Sequence, residues 1–244
     1  MKGKNINTQY PTGKLKVENI LFEDNHIIVI NKLPSQIVQG DKTGDKPLSD
    51  LVKEYIKVKY SKSGDVFLGV VHRLDRPVSG AVVFARTSKS LTRLNALIKN
   101  REIKKTYWAV VKNKPPKESD TLIHFLRRDE ARNNSFIAGA HTKNAQQASL
   151  SYSLVASSDN YYLLQIDLQT GRHHQIRAQL AGIGCPIKGD LKYGYPRSNP
   201  DGSIHLHARK LNFTHPVTLN PVSVIADPPN DPVWNFFIGN SHTY

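Results

Sequence analysis

The sequence predicts an α+β fold, a single domain built on a large mixed, mainly antiparallel sheet flanked by a few helices. Three observations carry this expectation. Several short β-branched segments alternate with period 2, only about three stretches show helical periodicity, and the two kinds do not alternate regularly enough to wind a parallel sheet. The chain has 244 residues, 39% of them hydrophobic, which is enough to bury one sizeable core.

Residues 1–16 lack periodicity and contain Pro11, Gly13 and several lysines, so a flexible or loosely docked N-terminal arm is expected there, ahead of one domain over residues 17–244. From Ile20 the pattern Ile20-Leu21-Phe22, Asp24-Asn25, His26 to Asn31 reads as strand, turn, strand, ended by Lys32 and Pro34. Leu48, Leu51, Val52, Tyr55 and Ile56 follow helical spacing and leave Lys53, Lys57 and Lys59 largely wet, so this helix is read as a packing element. Ala81 to Ala85 reads as a strand. Thr87-Ser88 then offers an N-cap for a second helix with Leu91, Leu94, Leu97 and Ile98 on one face.

Thr106 to Val111 is a strong strand, closed by a loop holding Pro115-Pro116. Between Thr121 and Lys143 the pattern supports no more than a hairpin or a mobile basic loop. Leu150-Tyr152-Leu154 and Tyr162-Leu164-Ile166-Leu168 alternate with polar residues and read as two antiparallel strands joined near Ser158 to Asn160. Thr170 to Gly184 reads as a capped short helix ended by glycine, with Ile176, Leu180 and Ile183 inward. Ile204 to Phe213 is strand-like, and the tail from Asp227 is proline-rich.

Charge narrows the function. There are 34 Lys plus Arg against 20 Asp plus Glu, a formal net charge of +14, spread through segments with globular patterning, which favours a nucleic acid over a membrane surface as partner. The helix after Thr87 is basic on its wet side: Arg86, Lys89, Arg93, Lys99, Arg101, Lys104 and Lys105 are opposed only by Glu102, a balance suited to phosphate contacts. The one cysteine, Cys185, excludes an intramolecular disulfide and any multi-cysteine metal site. Neither an apolar signal core nor a membrane-length apolar run is present, so a cytoplasmic protein without a membrane partner is expected.

Most enzyme chemistries fail on their residues. The ten histidines include His173-His174 and His205-x-His207, but no carboxylate or cysteine joins them at ligand spacing, so no metal is expected. The phosphate-cradling G-x-x-x-x-G-K-[ST] loop is absent, and Ser79 lacks the G-x-S-x-G elbow. What remains is Asp75 in V-H-R-L-D-R-P-V-S-G-A-V-V-F-A-R-T, Val71 to Thr87. This is a lone carboxylate between Arg73 and Arg76, in a short loop between apolar segments where a rigid scaffold presents a group for chemistry. Neutralising its arginines or capping the turn is the structural alternative.

Five blocks then point to one family. H-R-L-D-R-P-V-S-G (His72 to Gly80), K-K-T-Y-W-A-V-V (Lys104 to Val111), T-G-R-H-H-Q-I-R (Thr170 to Arg177), P-I-K-G-D-L-K-Y-G (Pro186 to Gly194) and L-H-A-R-K-L-N-F-T-H-P (Leu206 to Pro216) occur in the order found in the RluA-type RNA pseudouridine synthases. From about Ile20 to Pro216 the chain resembles them closely. The resemblance implies a pseudouridine synthase catalytic domain that breaks the N-glycosidic bond of a uridine in structured RNA, ribosomal or transfer, turns the uracil and rejoins it through carbon. It implies no cofactor and no metal; a monomer is expected.

By motif position, Asp75 is similar to the family's catalytic aspartate, acting as nucleophile or charge stabiliser. Arg177 matches the arginine that pairs with it, and Tyr107 the tyrosine whose ring stacks on uracil and whose hydroxyl takes part in proton transfer. Ile187 looks like the apolar wall of the uracil pocket, and Arg73 is placed to fill the space of an extruded base. RNA contacts are expected from Arg76, Lys89, Arg93, Lys104, Lys105 and Arg172, with His173 and Gln175 supporting the loop. Val78 and His173 stand where relatives usually carry threonine. Too little chain precedes Ile20 for the S4-type domain many relatives carry, so none is expected, and substrate selection falls to basic loops or termini. A silent RNA-binding or ribosome-assembly protein is the rival reading, and an RNA hydrolase a third; the joint presence of Asp75, Tyr107 and Arg177 favours the isomerase.

Overall fold

The computed structural model describes residues 15–240, so the expected N-terminal arm lies almost wholly outside the described residues. The chain begins with β1 (Ile20–Glu23) and β2 (Ile27–Lys32), joined by a turn in which Asp24 Oδ1 accepts the N–H groups of His26 and Ile27. Helix α1 (Leu48–Lys59) buries Leu48, Leu51, Val52 and Ile56, the face its spacing predicts. Two short neighbours follow, β3 (Gly69–Val70) and the fully buried β4 (Ser79–Ala85). Helix α2 (Ser88–Lys99) starts at Thr87, whose Oγ1 accepts the Ser90 N–H at 3.1 Å, as expected of a threonine N-cap.

The middle of the chain is β5 (Lys104–Val111), β6 (Ser119–Asp129), β7 (Asn134–Ala138), β8 (Gln146–Ser157) and β9 (Tyr162–Leu168). The weakly patterned basic stretch is thus the β6–β7 hairpin, turned at Asn133 with φ 47°. Helix α3 (Gln175–Gly182) begins five residues after Thr170, which caps nothing: Thr170 Oγ1 instead accepts the Ser149 N–H at 2.8 Å and donates to Gln175 Oε1 at 2.7 Å. The chain ends with β10 (Leu206–Thr214), β11 (Pro221–Ile225) and α4 (Pro232–Asn240). The proline-rich tail therefore contains a helix. Asp231 Oδ1 accepts the N–H groups of Val233 and Trp234, and Pro232 occupies the first turn, where its missing N–H costs nothing.

The eleven strands of the described residues form one sheet in the order β1-β2-β4-β10-β5-β9-β8-β6-β7, with β11 beside β10 and β3 beside β4. Every pair is antiparallel except β4 with β10. Successive residues feed opposite faces, as a pleated strand requires. Val82 and Tyr107 of the sheet join Leu48 and Val52 of α1 and Ile176 and Leu180 of α3 in one core, whereas Val83 and Leu211 pack with Leu94 of α2, and Trp108 and Val110 with Trp234 of α4. Helices thus cover both faces, with α1 and α3 on one and α2 and α4 on the other.

The sheet forks between β4 and β10. The two pair only at Ser79↔His207 and Gly80↔Ala208, after which β3 takes over the edge of β4 and β11 that of β10. At the fork Gly80 has φ 118°, and a Cβ there would collide with the backbone of Ala208, so only glycine closes the junction. In the gap, His72 Nε2 accepts the Val83 N–H at 3.2 Å. The fork holds the Asp75 loop, because β4 begins four residues after Asp75.

Candidate active site

Asp75 opens a β-turn in which the Val78 N–H donates to the Asp75 carbonyl at 3.0 Å. Three partners from distant segments pin this turn. Ser35 N–H and the Lys32 ammonium donate to the Arg76 carbonyl at 2.9 and 3.2 Å, and Ile204 N–H donates to the Pro77 carbonyl at 3.1 Å. Lys32 is 0% exposed and also donates to the carbonyls of Leu33 and Gln36. Burial pulls its pKa down to about 7 against the opposing charge of Asp75. Val78 is buried in the core, so the position where relatives usually carry threonine has an apolar side chain packed inward.

Arg177, in the first turn of α3, reaches across to this loop. Its Nη1 donates to Asp75 Oδ2 at 3.0 Å, while Nε and Nη2 grip the two oxygens of Asp190 at 2.7 and 2.8 Å. Arg177 is 5% exposed and Asp190 1%. Burial opposes the guanidinium's charge, yet Asp190 first and then Asp75 hold its pKa above the ordinary value. The forked pairing with Asp190 sets the plane of the guanidinium, so only one edge faces Asp75. The Asp75 side chain is 30% exposed, and among the described residues Oδ1 has no hydrogen-bond or ion-pair partner.

Tyr107 faces the same core from β5. Its phenol pKa is raised by burial and then by the charge of Asp75, so the hydroxyl remains protonated at neutral pH. Lys105, two residues earlier on the same face, is half-buried, and burial lowers its pKa; among the described residues it has no ion-pair partner. His174 brings Nε2 to 3.4 Å from Asp75 Oδ2, and its ring stacks on His173 with centroids 3.8 Å apart. Gln175 accepts from Arg172 N–H and donates to the Ser149 carbonyl, so it ties the loop to β8 as expected of a supporting residue.

The structure thus joins Asp75 to Arg177 across 102 residues and sets Tyr107 within reach of the Asp75 charge. Other expected residues lie elsewhere. Ile187 is 0% exposed, bridged to Val111 within the core that contains Tyr107, and offers no accessible surface in this conformation. Arg73 is exposed beside the loop. Arg76 pairs with Asp45 at 2.6 Å, and Arg172 donates to the Gln147 carbonyl at 3.1 Å. Lys104 is exposed at the start of β5. Lys89 and Arg93 belong to α2, on the opposite face of the sheet from α3, and Arg93 donates to the Pro216 carbonyl.

Sequence reasoning assigned no role to Asp190, His174 or Tyr193, although all three stand in the quoted motifs. The acid inside the P-I-K-G-D-L-K-Y-G block, thirteen residues after Arg177, was the available signal for Asp190. Among the described residues, no group of three or more His, Cys, Asp or Glu is placed to hold a metal ion, and no helix is long and apolar enough to cross a membrane.

Comparison with known proteins places the chain in a family. The family model described as RNA pseudouridylate synthase matches residues 26–182, a span that includes Asp75, Tyr107 and Arg177. The chain belongs to the RNA pseudouridylate synthase family. Ribosomal large subunit pseudouridine synthase C of Rickettsia bellii is 31% identical over 219 residues, covering 89% of this chain and 70% of that protein. The uncharacterized RNA pseudouridine synthase YhcT of Bacillus subtilis is 31% identical over 203 residues; the match covers 82% of this chain and spans 65% of YhcT. Among solved structures, Human RNA Pseudouridylate Synthase Domain Containing 4 has the same fold. Its TM-score is 0.74 at 24% identity, with 90% of this chain and 92% of that one covered. The RluA-type resemblance seen in the five sequence blocks therefore stands at the level of family and fold.

Proposed function

We propose that this protein is an RNA pseudouridine synthase that isomerises one or more uridines in structured RNA, with Asp75 as its catalytic carboxylate. The observation that carries the reading is the single-edged grip of Arg177 on Asp75 Oδ2, which leaves Oδ1 as the oxygen free to meet a nucleoside. A carboxylate in that role must be aimed, and a guanidinium locked by Asp190 sets its direction. In the isomerisation the bond between uracil N1 and the ribose is broken and one to C5 is formed. The C5 hydrogen passes to solvent while N1 gains a proton. Tyr107, kept protonated, serves as a stacking wall and proton donor beside the base.

A base inside a duplex cannot reach a half-buried carboxylate, so the target uridine is flipped out, with Arg73 placed to take its space. Ribosomal RNA is the substrate class supported by relatives named ribosomal large subunit pseudouridine synthases. The net charge of +14 fits a polyanionic partner, and transfer RNA is the other structured RNA to be tested. The deciding experiment incubates purified protein with uridine-labelled RNA. Pseudouridine is expected, and Asp75→Asn is expected to abolish it while RNA affinity stays within a few-fold. Turnover retained in that variant removes Asp75 from its role, and RNA binding without pseudouridine in every RNA tested points to a silent binder. Mapping pseudouridines in total RNA from cells with and without the gene identifies the target.

A further inference from the structure

We propose that His174 is a positioning residue for Asp75, directing its Nε2–H at Oδ2, with the ring tautomer set by Tyr193, whose hydroxyl is held by Ser135 of the β6–β7 hairpin. The kinetic consequence rests on the pseudouridine synthase reading above, whereas the proton arrangement stands on geometry alone.

The chain of contacts starts on the edge strand. Ser135 N–H donates to the Tyr193 hydroxyl oxygen at 2.8 Å, and that hydroxyl lies 2.9 Å from His174 Nδ1. His174 Nε2 faces Asp75 Oδ2 at 3.4 Å. A phenol carries one hydrogen, and Tyr193 keeps it, because burial raises its pKa to about 12. With the oxygen already accepting from Ser135, that hydrogen points to His174 Nδ1, which makes Nδ1 the acceptor and puts the imidazole proton on Nε2. The opposite tautomer would aim a nitrogen lone pair at a carboxylate oxygen and leave the Tyr193 hydrogen without an acceptor among the described residues. Both ends of the ring therefore select the same proton position.

The ring also stays neutral: burial pulls the His174 pKa down to about 3, and Arg177 adds to this against the opposing charge of Asp75. Asp75 Oδ2 thus accepts one hydrogen bond, from the charged Arg177 at 3.0 Å, and faces the neutral Nε2–H of His174 at 3.4 Å. A bond from one side and an N–H directed from the other restrict the rotation of the carboxyl group and so the direction of Oδ1. His174 holds this place in the left-handed region, φ 51°, immediately before α3, stacked on His173, whose Nδ1 meets Ser135 Oγ at 3.0 Å. Lys192 closes the other side of the hairpin by donating to the Asn133 carbonyl at 2.9 Å. Exposed Arg127, Arg128 and Arg132 lie on this hairpin, so an RNA strand that engages them loads the same chain of contacts from its far end.

NMR of the imidazole nitrogens and steady-state kinetics test this together. Wild-type His174 is expected in the neutral Nε2–H tautomer at neutral pH. Tyr193→Phe keeps the ring under Arg177 but removes the hydroxyl; it is expected to lose the fixed tautomer and to lower kcat about 10-fold with KM within about 2-fold. His174→Leu should lose roughly 100-fold in kcat, and His174→Gln, whose amide restores a donor toward Asp75, should recover about 10-fold of it. An Nδ1–H tautomer in the wild type, or wild-type kcat in Tyr193→Phe, overturns the proposal. If the His174 variants do not fold, the wild-type tautomer and Tyr193→Phe still decide it. If no RNA is isomerised by the wild type, the functional reading fails while the tautomer measurement still judges the proton chain.

Discussion

Arg177 touches two carboxylates, and exchanging each for its amide should give opposite outcomes. Asp190 is 1% exposed and accepts two of the guanidinium's hydrogen bonds, at 2.7 and 2.8 Å. Asp190→Asn leaves a buried cation without its main counter-charge, and breaking a buried pair from one side costs about 3–5 kcal/mol. In a chain of this size that lowers Tm by roughly 10 °C. The released guanidinium can turn both arms onto Asp75 and engage Oδ1, so kcat is expected to fall about 100-fold as well. Asp75 is 30% exposed and accepts a single bond, at 3.0 Å. Asp75→Asn leaves Arg177 fully paired with Asp190 and should change stability by less than about 1 kcal/mol while abolishing turnover. Urea unfolding followed by circular dichroism measures the first quantity, and tritium release from uracil C5 in labelled RNA measures the second. Equal stability losses in the two variants, or an Asp190→Asn enzyme with wild-type kcat, would refute the assignment of Asp190 as the anchor and Asp75 as the reagent.

Stability should fall as pH drops below about 6.5, because buried histidines stay neutral in the fold. Burial holds His207 down to about 4 while it accepts from Ser79 and donates to the Ala226 carbonyl. An unfolded chain takes up that proton near pH 6.5 and the fold does not, so His207 alone removes about 2 kcal/mol by pH 5. Urea titrations at the two pH values check this, and His207→Gln should flatten the difference. Gly80→Ala should destabilise the protein by about 3 kcal/mol or abolish folding, since it meets the Ala208 backbone at φ 118°; soluble yield and Tm report it. Lys105→Gln should raise KM for RNA about 10-fold and reduce the salt dependence of binding by about one ion, because its half-buried ammonium has no ion-pair partner among the described residues on the Tyr107 face. Lys89→Gln, on the far face of the sheet, should change KM less than about 2-fold.

What was legible in advance was local. The face of α1, the Thr87 cap of α2 and the alternation of β8 and β9 depend on neighbours within a few residues, and each appears where its pattern puts it. Thr170 misled because its hydroxyl found Ser149 on β8, a partner no window around residue 170 contains. Helix α4 was hidden by the prolines around it, although Asp231 followed by Pro232 is itself a start signal. The basic face of α2 suggested phosphate contacts, but charge on a helix does not say which side of a sheet the helix covers.

The sequence by itself determined the family and the α+β character, and it singled out Asp75, Tyr107 and Arg177 as candidates, because motif blocks and short-range periodicity survive as strings. Only the tertiary structure decided that Arg177 is anchored by Asp190, that one oxygen of Asp75 carries the contacts while the other has none among the described residues, and that His174 and Tyr193 stand behind the aspartate. Those facts depend on a sheet that forks between β4 and β10 and on a contact spanning 102 residues. Such pairings are set by how whole elements pack, and hydrogen-bond direction has no counterpart in residue spacing.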